Sequence, residues 1–238
     1  MYLIFLGAML TALFGLITAF HFDLFVWTVL LKALTSLFFV LAGLAGYIKN
    51  PDRRFFSGPV LAAFLCSMAG DILLAIDRTQ GILFVLGVVS FAGAHILFSI
   101  SFCRICAVKK TDVICTIAVY FVLLSLLLTG DFDFQGLLPV LLGYAVVISF
   151  MAAKALSFWR CRNAWGRVSV LVMSGGILFM LSDVVLLFWL FGKGMPRQLQ
   201  SVNWLIYYLA QGCLSASLSV SVNKNCEEGE KDEIHMAG

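Results

Sequence analysis

Eight stretches of this chain, each roughly 17 to 25 residues long and nearly free of charge, follow one another with short polar breaks. They cover approximately residues 2–20, 24–48, 57–76, 82–103, 113–129, 137–156, 168–191 and 203–222. Hydrocarbon offers no partner to a peptide N–H or C=O, so runs of this length cross a bilayer as helices that satisfy themselves. Composition points the same way: 62% of the 238 residues are hydrophobic, 12% are charged and mean hydropathy is +1.02. Soluble domains carry about twice that charged fraction. The expected fold is therefore all-α, a bundle of eight transmembrane helices in one domain over residues 1–222, followed by a charged, disordered cytoplasmic tail over 223–238. His21, Phe22 and Asp23 alone separate the first two runs, which predicts a tight antiparallel hairpin.

The basic residues orient the bundle, because Lys and Arg in short loops stay on the cytoplasmic side. Lys49, Arg53, Arg54, Arg104, Lys109, Lys110, Lys154, Arg160, Arg162, Arg167, Lys224 and Lys231 fall on one side, against Arg78, Lys193 and Arg197 on the other. That bias places both termini in the cytoplasm and makes the chain an integral multi-pass membrane protein, of a bacterial inner membrane or an endoplasmic reticulum. A net charge of +3 gives no support to nucleic-acid binding. The first run lacks a basic lead-in and a small-residue cleavage site, so it reads as a retained helix. Most cysteines fall near the cytoplasmic face, where reduced thiols are expected. Cys103 and Cys106 have C-x-x-C spacing but lack nearby ligands to complete a zinc site.

Ionisable side chains at membrane depth are costly unless paired or facing a polar cavity, and so they mark candidate functional residues. Four qualify: Lys32, Asp71, His95 and Asp183. Counting 1.5 Å per residue from the outer ends of their helices, Asp71 lies about 7 Å down, Lys32 and Asp183 about 12 Å, and His95 about 20 Å. The last run adds Asn203, Tyr207, Gln211, Ser215 and Ser219 at i, i+4 spacing, a polar stripe on one face. A weak repeat is also visible: Gly70-Asp71, a loop, then a run with His95 recurs as Ser182-Asp183, a loop, then a run with Gln211. Helices 1–4 and 5–8 then form a 4+4 repeat about an axis along the membrane normal, with the two aspartates facing each other.

On these residues the sequence resembles the YhhN-like lysoplasmalogenase family. The resemblance rests on Lys32-Ala33-Leu34, Gly70-Asp71, Ser90, Phe91 and His95, Tyr144, Ser182-Asp183, and Tyr207 with Gln211, spread from about residue 30 to 215. Ala33 stands where the family usually has proline, which bears on a kink in the second helix. The resemblance implies an ether hydrolase that cleaves the vinyl ether bond of lysoplasmalogens, releasing a fatty aldehyde and glycerophosphoethanolamine or glycerophosphocholine.

The residues suit that chemistry. Vinyl ether hydrolysis protonates the alkene carbon, and water then attacks the resulting oxocarbenium ion. A carboxyl in a low-dielectric site keeps its proton while a second, beside a cation, stays ionised. Asp71 and Asp183 are the candidate acid and base, in either order. Lys32, His95, Tyr144, Asn203, Tyr207 and Gln211 are the supporting or substrate-binding candidates, with no metal and no cofactor. The expected partners are a lysophospholipid substrate and membrane lipids. The expected pocket lies among helices 2, 3, 4, 7 and 8, with Phe84, Phe91, Phe98, Phe179 and Trp204 as acyl-chain lining and Arg78, Lys193 and Arg197 at its mouth drawing a phosphate. A proton-coupled transporter or flippase is the alternative, but it needs access from both sides, whereas this polar set crowds one half of the membrane.

Overall fold

The structure is a computed structural model that describes residues 2–77, 81–220 and 222, without the side chains of 161–164. The expected tail over 223–238 and Arg78 lie outside the described residues. Eight α-helices follow in order: α1 (Tyr2–His21), α2 (Phe25–Lys49), α3 (Arg54–Ile76), α4 (Ile82–Ile105), α5 (Lys110–Thr129), α6 (Leu138–Phe158), α7 (Arg162–Phe191) and α8 (Gln198–Ser219). No strand occurs among the described residues; a single β-bridge joins Phe132 to Gly192. Seven helices are long and apolar enough to cross a membrane, which makes this a multi-pass membrane protein. The eighth, α8, has the length at 22 residues but carries Gln200, Asn203, Gln211 and four serines. Thirteen of its residues are buried, so it meets protein more than lipid and needs less hydrophobicity. Gly166, at φ 43 and ψ −114, breaks α7 near its start. The continuous helix that follows matches the expected run from residue 168.

Helix neighbours define the shape. α2, α3, α4, α6, α7 and α8 form a closed ring, each packed on the next and α8 returning to α2. α1 packs outside on α2 and α8, while α5 leans on α6. The hairpin between α1 and α2 is as tight as expected, with Asp23 turning at φ 57. Close approach of α3 and α4 depends on Gly70, where a Cβ would stand 2.7 Å from the Phe91 ring.

Side chains tie down the end of the bundle that carries Arg53. Pro59 lies inside α3 and has no N–H to offer the carbonyl four residues back. Arg104 Nη1 donates to that carbonyl, Phe55 O, at 2.8 Å. The last carbonyls of α8 accept from Asn50 Nδ2 (2.8 Å to Leu218 O) and Arg53 Nη2 (2.6 Å to Val220 O), cations and amides being favoured at a helix C-terminus. Lys154, counted on the cytoplasmic side, is fully buried there, donating to Asp112 Oδ2 at 3.0 Å and Cys106 O at 2.8 Å. Its position at the end of an apolar run concealed a buried ion pair with Asp112. Cys106 is disulfide-bonded, contrary to the expectation of reduced thiols; Cys66, Cys103, Cys115 and Cys213 are free.

Candidate active site

Two carboxylates, one buried and one partly buried, anchor two hydrogen-bonded clusters in the half of the bundle nearer Asp23. Asp71, near the end of α3, is the more enclosed. Its Oδ2 accepts from Ser36 Oγ (2.6 Å) and Tyr207 Oη (2.7 Å), and its Oδ1 pairs with Lys32 Nζ at 3.3 Å. Gln211 Nε2 donates to Tyr207 Oη at 3.1 Å. Tyr208 completes the cluster, reaching Ser36 Oγ at 3.2 Å and the Lys32 carbonyl at 3.3 Å. Sequence reasoning missed Tyr208: one residue past Tyr207 it leaves the i, i+4 stripe, and only the burial of α8 on several sides brings it inward.

Asp183, on α7, is held differently. Its Oδ2 accepts from Tyr144 Oη at 2.6 Å and lies 3.1 Å from His95 Nε2, which is itself 2.8 Å from Tyr144 Oη. Its Oδ1 makes no hydrogen bond among the described residues. The side chain is 13% exposed against 3% for Asp71, and it lines an apolar hollow. His95 is fully buried and its Nδ1 has no partner.

The clusters share no hydrogen-bond partner and meet through aromatic rings. Phe179 packs 4.6 Å from His95 and 5.3 Å from Tyr207, with Phe91 6.0 Å from Tyr207. Asn203 stands apart from both clusters, its Nδ2 donating to Ser182 O at 2.7 Å and fixing α8 against α7 beside Asp183.

Their composition follows a numerical pattern. Lys32 and Tyr144, Asp71 and Asp183, and His95 and Tyr207 are each 112 positions apart. Each aspartate thus takes one partner from its own half of the chain and one from the other. This register aligns His95 with Tyr207, one turn away from the Gln211 that the sequence reading set against it.

Two hollows border the clusters. A narrow one of about 80 Å³ is walled by apolar residues of α3 to α7, including Phe91, Leu127, Ile148 and Met180, with Tyr144 and Asp183 as its polar spots. A wider one of about 280 Å³ is lined by Lys32, Thr28, Asp77, Gln200, Trp189 and Trp204 among others. Leu74, Phe84, Leu186 and Leu190 line both, so the hollows adjoin. The expected single pocket is therefore divided, and α5 and α6 contribute to it as well. Of the expected acyl lining, Phe84 and Phe91 face the narrow hollow and Trp204 the wider one, whereas Phe98 and Phe179 are core.

Two cations expected to draw a phosphate at the mouth are already paired. Lys193 Nζ lies 2.5 Å from Asp131 and Arg197 Nη2 lies 2.6 Å from Asp23. The hydrogen bond from Lys193 to the Asp131 carboxylate, together with its charge, raises the Lys193 ammonium above its ordinary pKa.

No curated protein and no solved structure matches the chain. A family model does, over residues 27–218, a stretch that holds both clusters and all the lining of the two hollows except Phe20. The chain belongs to the YhhN family.

Proposed function

We propose that this protein hydrolyses the vinyl ether bond of lysoplasmalogens, the activity that its family membership suggests. The observation that carries the reading is Asp183: one oxygen held by Tyr144 and His95, the other free, at the wall of an apolar hollow. The alkenyl chain lies in that hollow, and Asp183 gives a proton to the alkene carbon. The adjacent carbon, bonded to the ether oxygen, becomes an oxocarbenium ion. Water adds there and releases its proton to the Asp71 carboxylate through the Tyr207 hydroxyl, which already donates to Asp71 Oδ2. Collapse of the hemiacetal returns the hydroxyl proton to Asp183 and passes the proton of Asp71 to the departing glycerol oxygen. One water is consumed, an aldehyde and a glycerophospho-alcohol leave, and both aspartates regain their starting states. Proton transfer of this kind contributes about 10²–10⁴ in rate per positioned group.

The two sets of cluster residues 112 positions apart support an internal 4+4 repeat. So do the helix neighbours: α1–α2, α2–α3, α3–α4 and α2–α8 recur as α5–α6, α6–α7, α7–α8 and α4–α6. In this reading both termini face the cytoplasm and the hollows open in the outer half of the bilayer.

Packing below the clusters favours a hydrolase over a transporter. Phe39, Phe64, Phe98, Phe102, Phe158, Phe56 and Trp165 form an unbroken series of ring contacts, centroids 5.2 to 6.2 Å apart, across the Arg53 half. All seven are buried. The test is to incubate purified protein in detergent with a lysoplasmalogen and with its ester-linked analogue and to measure released aldehyde. Aldehyde from the first and no hydrolysis of the second is the expected result. Hydrolysis of both identifies a general lipase, and hydrolysis of neither removes the enzyme reading.

A further inference from the structure

The wider hollow takes no part in the alkene chemistry, yet it is the better supplied with polar groups. An ammonium has three donors. Lys32 commits one to Asp71, and no other acceptor stands within its reach among the described residues. Trp204 lines the same hollow at 4% exposure, and its indole N–H has no partner among the described residues. Gln200, 8% exposed, lines it with an Oε1 that accepts from none of the described residues. Buried polar groups in native proteins are nearly always satisfied, so three lining residues with spare hydrogen-bonding capacity make the chamber a place for a polar group. At about 280 Å³ the chamber exceeds what a single water fills, roughly 30 Å³.

The 112-residue register shows how the two hollows differ. Lys32, Ala75 and Gln200 line the wider one; their counterparts Tyr144, Leu187 and Val88 line the narrow one. Leu74 and Leu186, also 112 apart, line both and mark the boundary. Equivalent positions are thus polar or small on one side and apolar or bulky on the other. A molecule with a polar head and a hydrocarbon tail, its junction at the boundary, matches that division.

We infer that the wider hollow is the head-group subsite for a lysophospholipid. Lys32 Nζ and the Trp204 indole N–H donate to phosphodiester oxygens, and Gln200 Oε1 accepts from the free 2-hydroxyl that distinguishes a lysolipid from a diacyl lipid. The inference deepens the hydrolase reading and rests on it for the identity of the lipid. Lys193 and Arg197, held by Asp131 and Asp23, leave Lys32 as the described cation lining the chamber.

The test reads binding, so that it stands apart from turnover. A saturated 1-O-alkyl lysophospholipid, which has no alkene to protonate, is titrated calorimetrically into the full-length protein in detergent. Comparators are 1-O-alkylglycerol, the 2-O-methyl lysolipid, glycerophosphoethanolamine and inorganic phosphate. Trp204→Phe keeps the ring and removes the N–H; it is expected to weaken the alkyl lysophospholipid about tenfold and leave alkylglycerol unchanged. Gln200→Leu is expected to erase the preference for the free 2-hydroxyl over its methyl ether. Equal weakening of the phosphorylated and phosphate-free ligands overturns the subsite. So does inorganic phosphate binding as tightly as the lysolipid, which identifies a simple anion site. Binding as expected without aldehyde release from lysoplasmalogen removes the hydrolase reading and leaves the subsite standing; aldehyde release with no phosphate dependence does the reverse.

Discussion

Asp71 and Asp183 lie 112 positions apart, one in each half of the chain, and their surroundings differ in one decisive respect. Asp71 has its oxygens engaged by Ser36, Tyr207 and Lys32, and its charge is matched by the ammonium 3.3 Å away. Asp183 has one oxygen engaged and one free, beside a histidine and an apolar hollow. The first arrangement pairs a carboxylate with a cation, and the second leaves one carboxylate oxygen beside the hollow, where the proposed reaction needs its proton donor. If the proposed repeat holds, one acid type serves two purposes because different partners meet it on the neighbouring helices.

The comparison is most directly broken by removing each carboxylate. Asp183→Asn keeps the shape and loses the acid; turnover of lysoplasmalogen is expected to fall at least ~10³-fold, with thermal unfolding in detergent nearly unchanged. Asp71→Asn is expected to abolish turnover as well, but with a lower unfolding temperature, since it strands Lys32 as a buried unpaired charge at a cost of about 3–5 kcal/mol. If the two variants unfold alike, the two sites are not enclosed differently. Replacing both partners, Lys32→Met with Asp71→Leu, is expected to recover most of that stability and none of the activity. Recovery of activity in the double variant removes Asp71 from the reaction.

The tyrosines sharpen the same contrast at smaller amplitude. Tyr144→Phe and Tyr207→Phe each remove one hydrogen bond to a carboxylate, worth about 1.5–3 kcal/mol. Loss of Tyr144 frees Asp183 to reorient and is expected to lower kcat with KM little changed. Loss of Tyr207 cuts the proposed proton path and leaves an acceptor of Asp71 unmatched, lowering both kcat and the unfolding temperature. Aldehyde release and calorimetry on the pair decide it.

Much of this was legible before any coordinates. Hydropathy located the seven long apolar helices, because burying a backbone in lipid imposes length and apolarity together, whereas α8 is the least apolar and begins five residues before its expected run. The ionisable residues at membrane depth, Lys32, Asp71, His95 and Asp183, are the centres of the two clusters. What the sequence hid depends on which helices become neighbours. Lys154 sits at the end of an apolar run and looks like a surface cation until Asp112, from another helix, is brought against it. Tyr208 falls off the polar stripe of α8 yet points inward, since that helix closes the ring between α2 and α7. No periodicity reveals that Lys193 and Arg197 meet loop acids 62 and 174 residues away.

That last pair supplies the smallest expected effect and a control for the others. Lys193 and Asp131 are both largely exposed, at 63% and 77%, and exposed ion pairs contribute little. Because Asp131 raises the Lys193 pKa, the stability this pair adds is fully present below the unfolded-state pKa of a lysine and is lost only as pH rises through the higher folded value. From neutral pH into the mildly alkaline range its charge is constant. Lys193→Gln is therefore expected to leave both the unfolding temperature and the alkaline limb of the pH–rate profile where they were. Any movement of that limb in an Asp183, Tyr144 or Tyr207 variant then originates in the membrane clusters. If Lys193→Gln itself shifts the limb, the surface cation senses the reaction, and the assignment of proton chemistry to the buried residues loses its control.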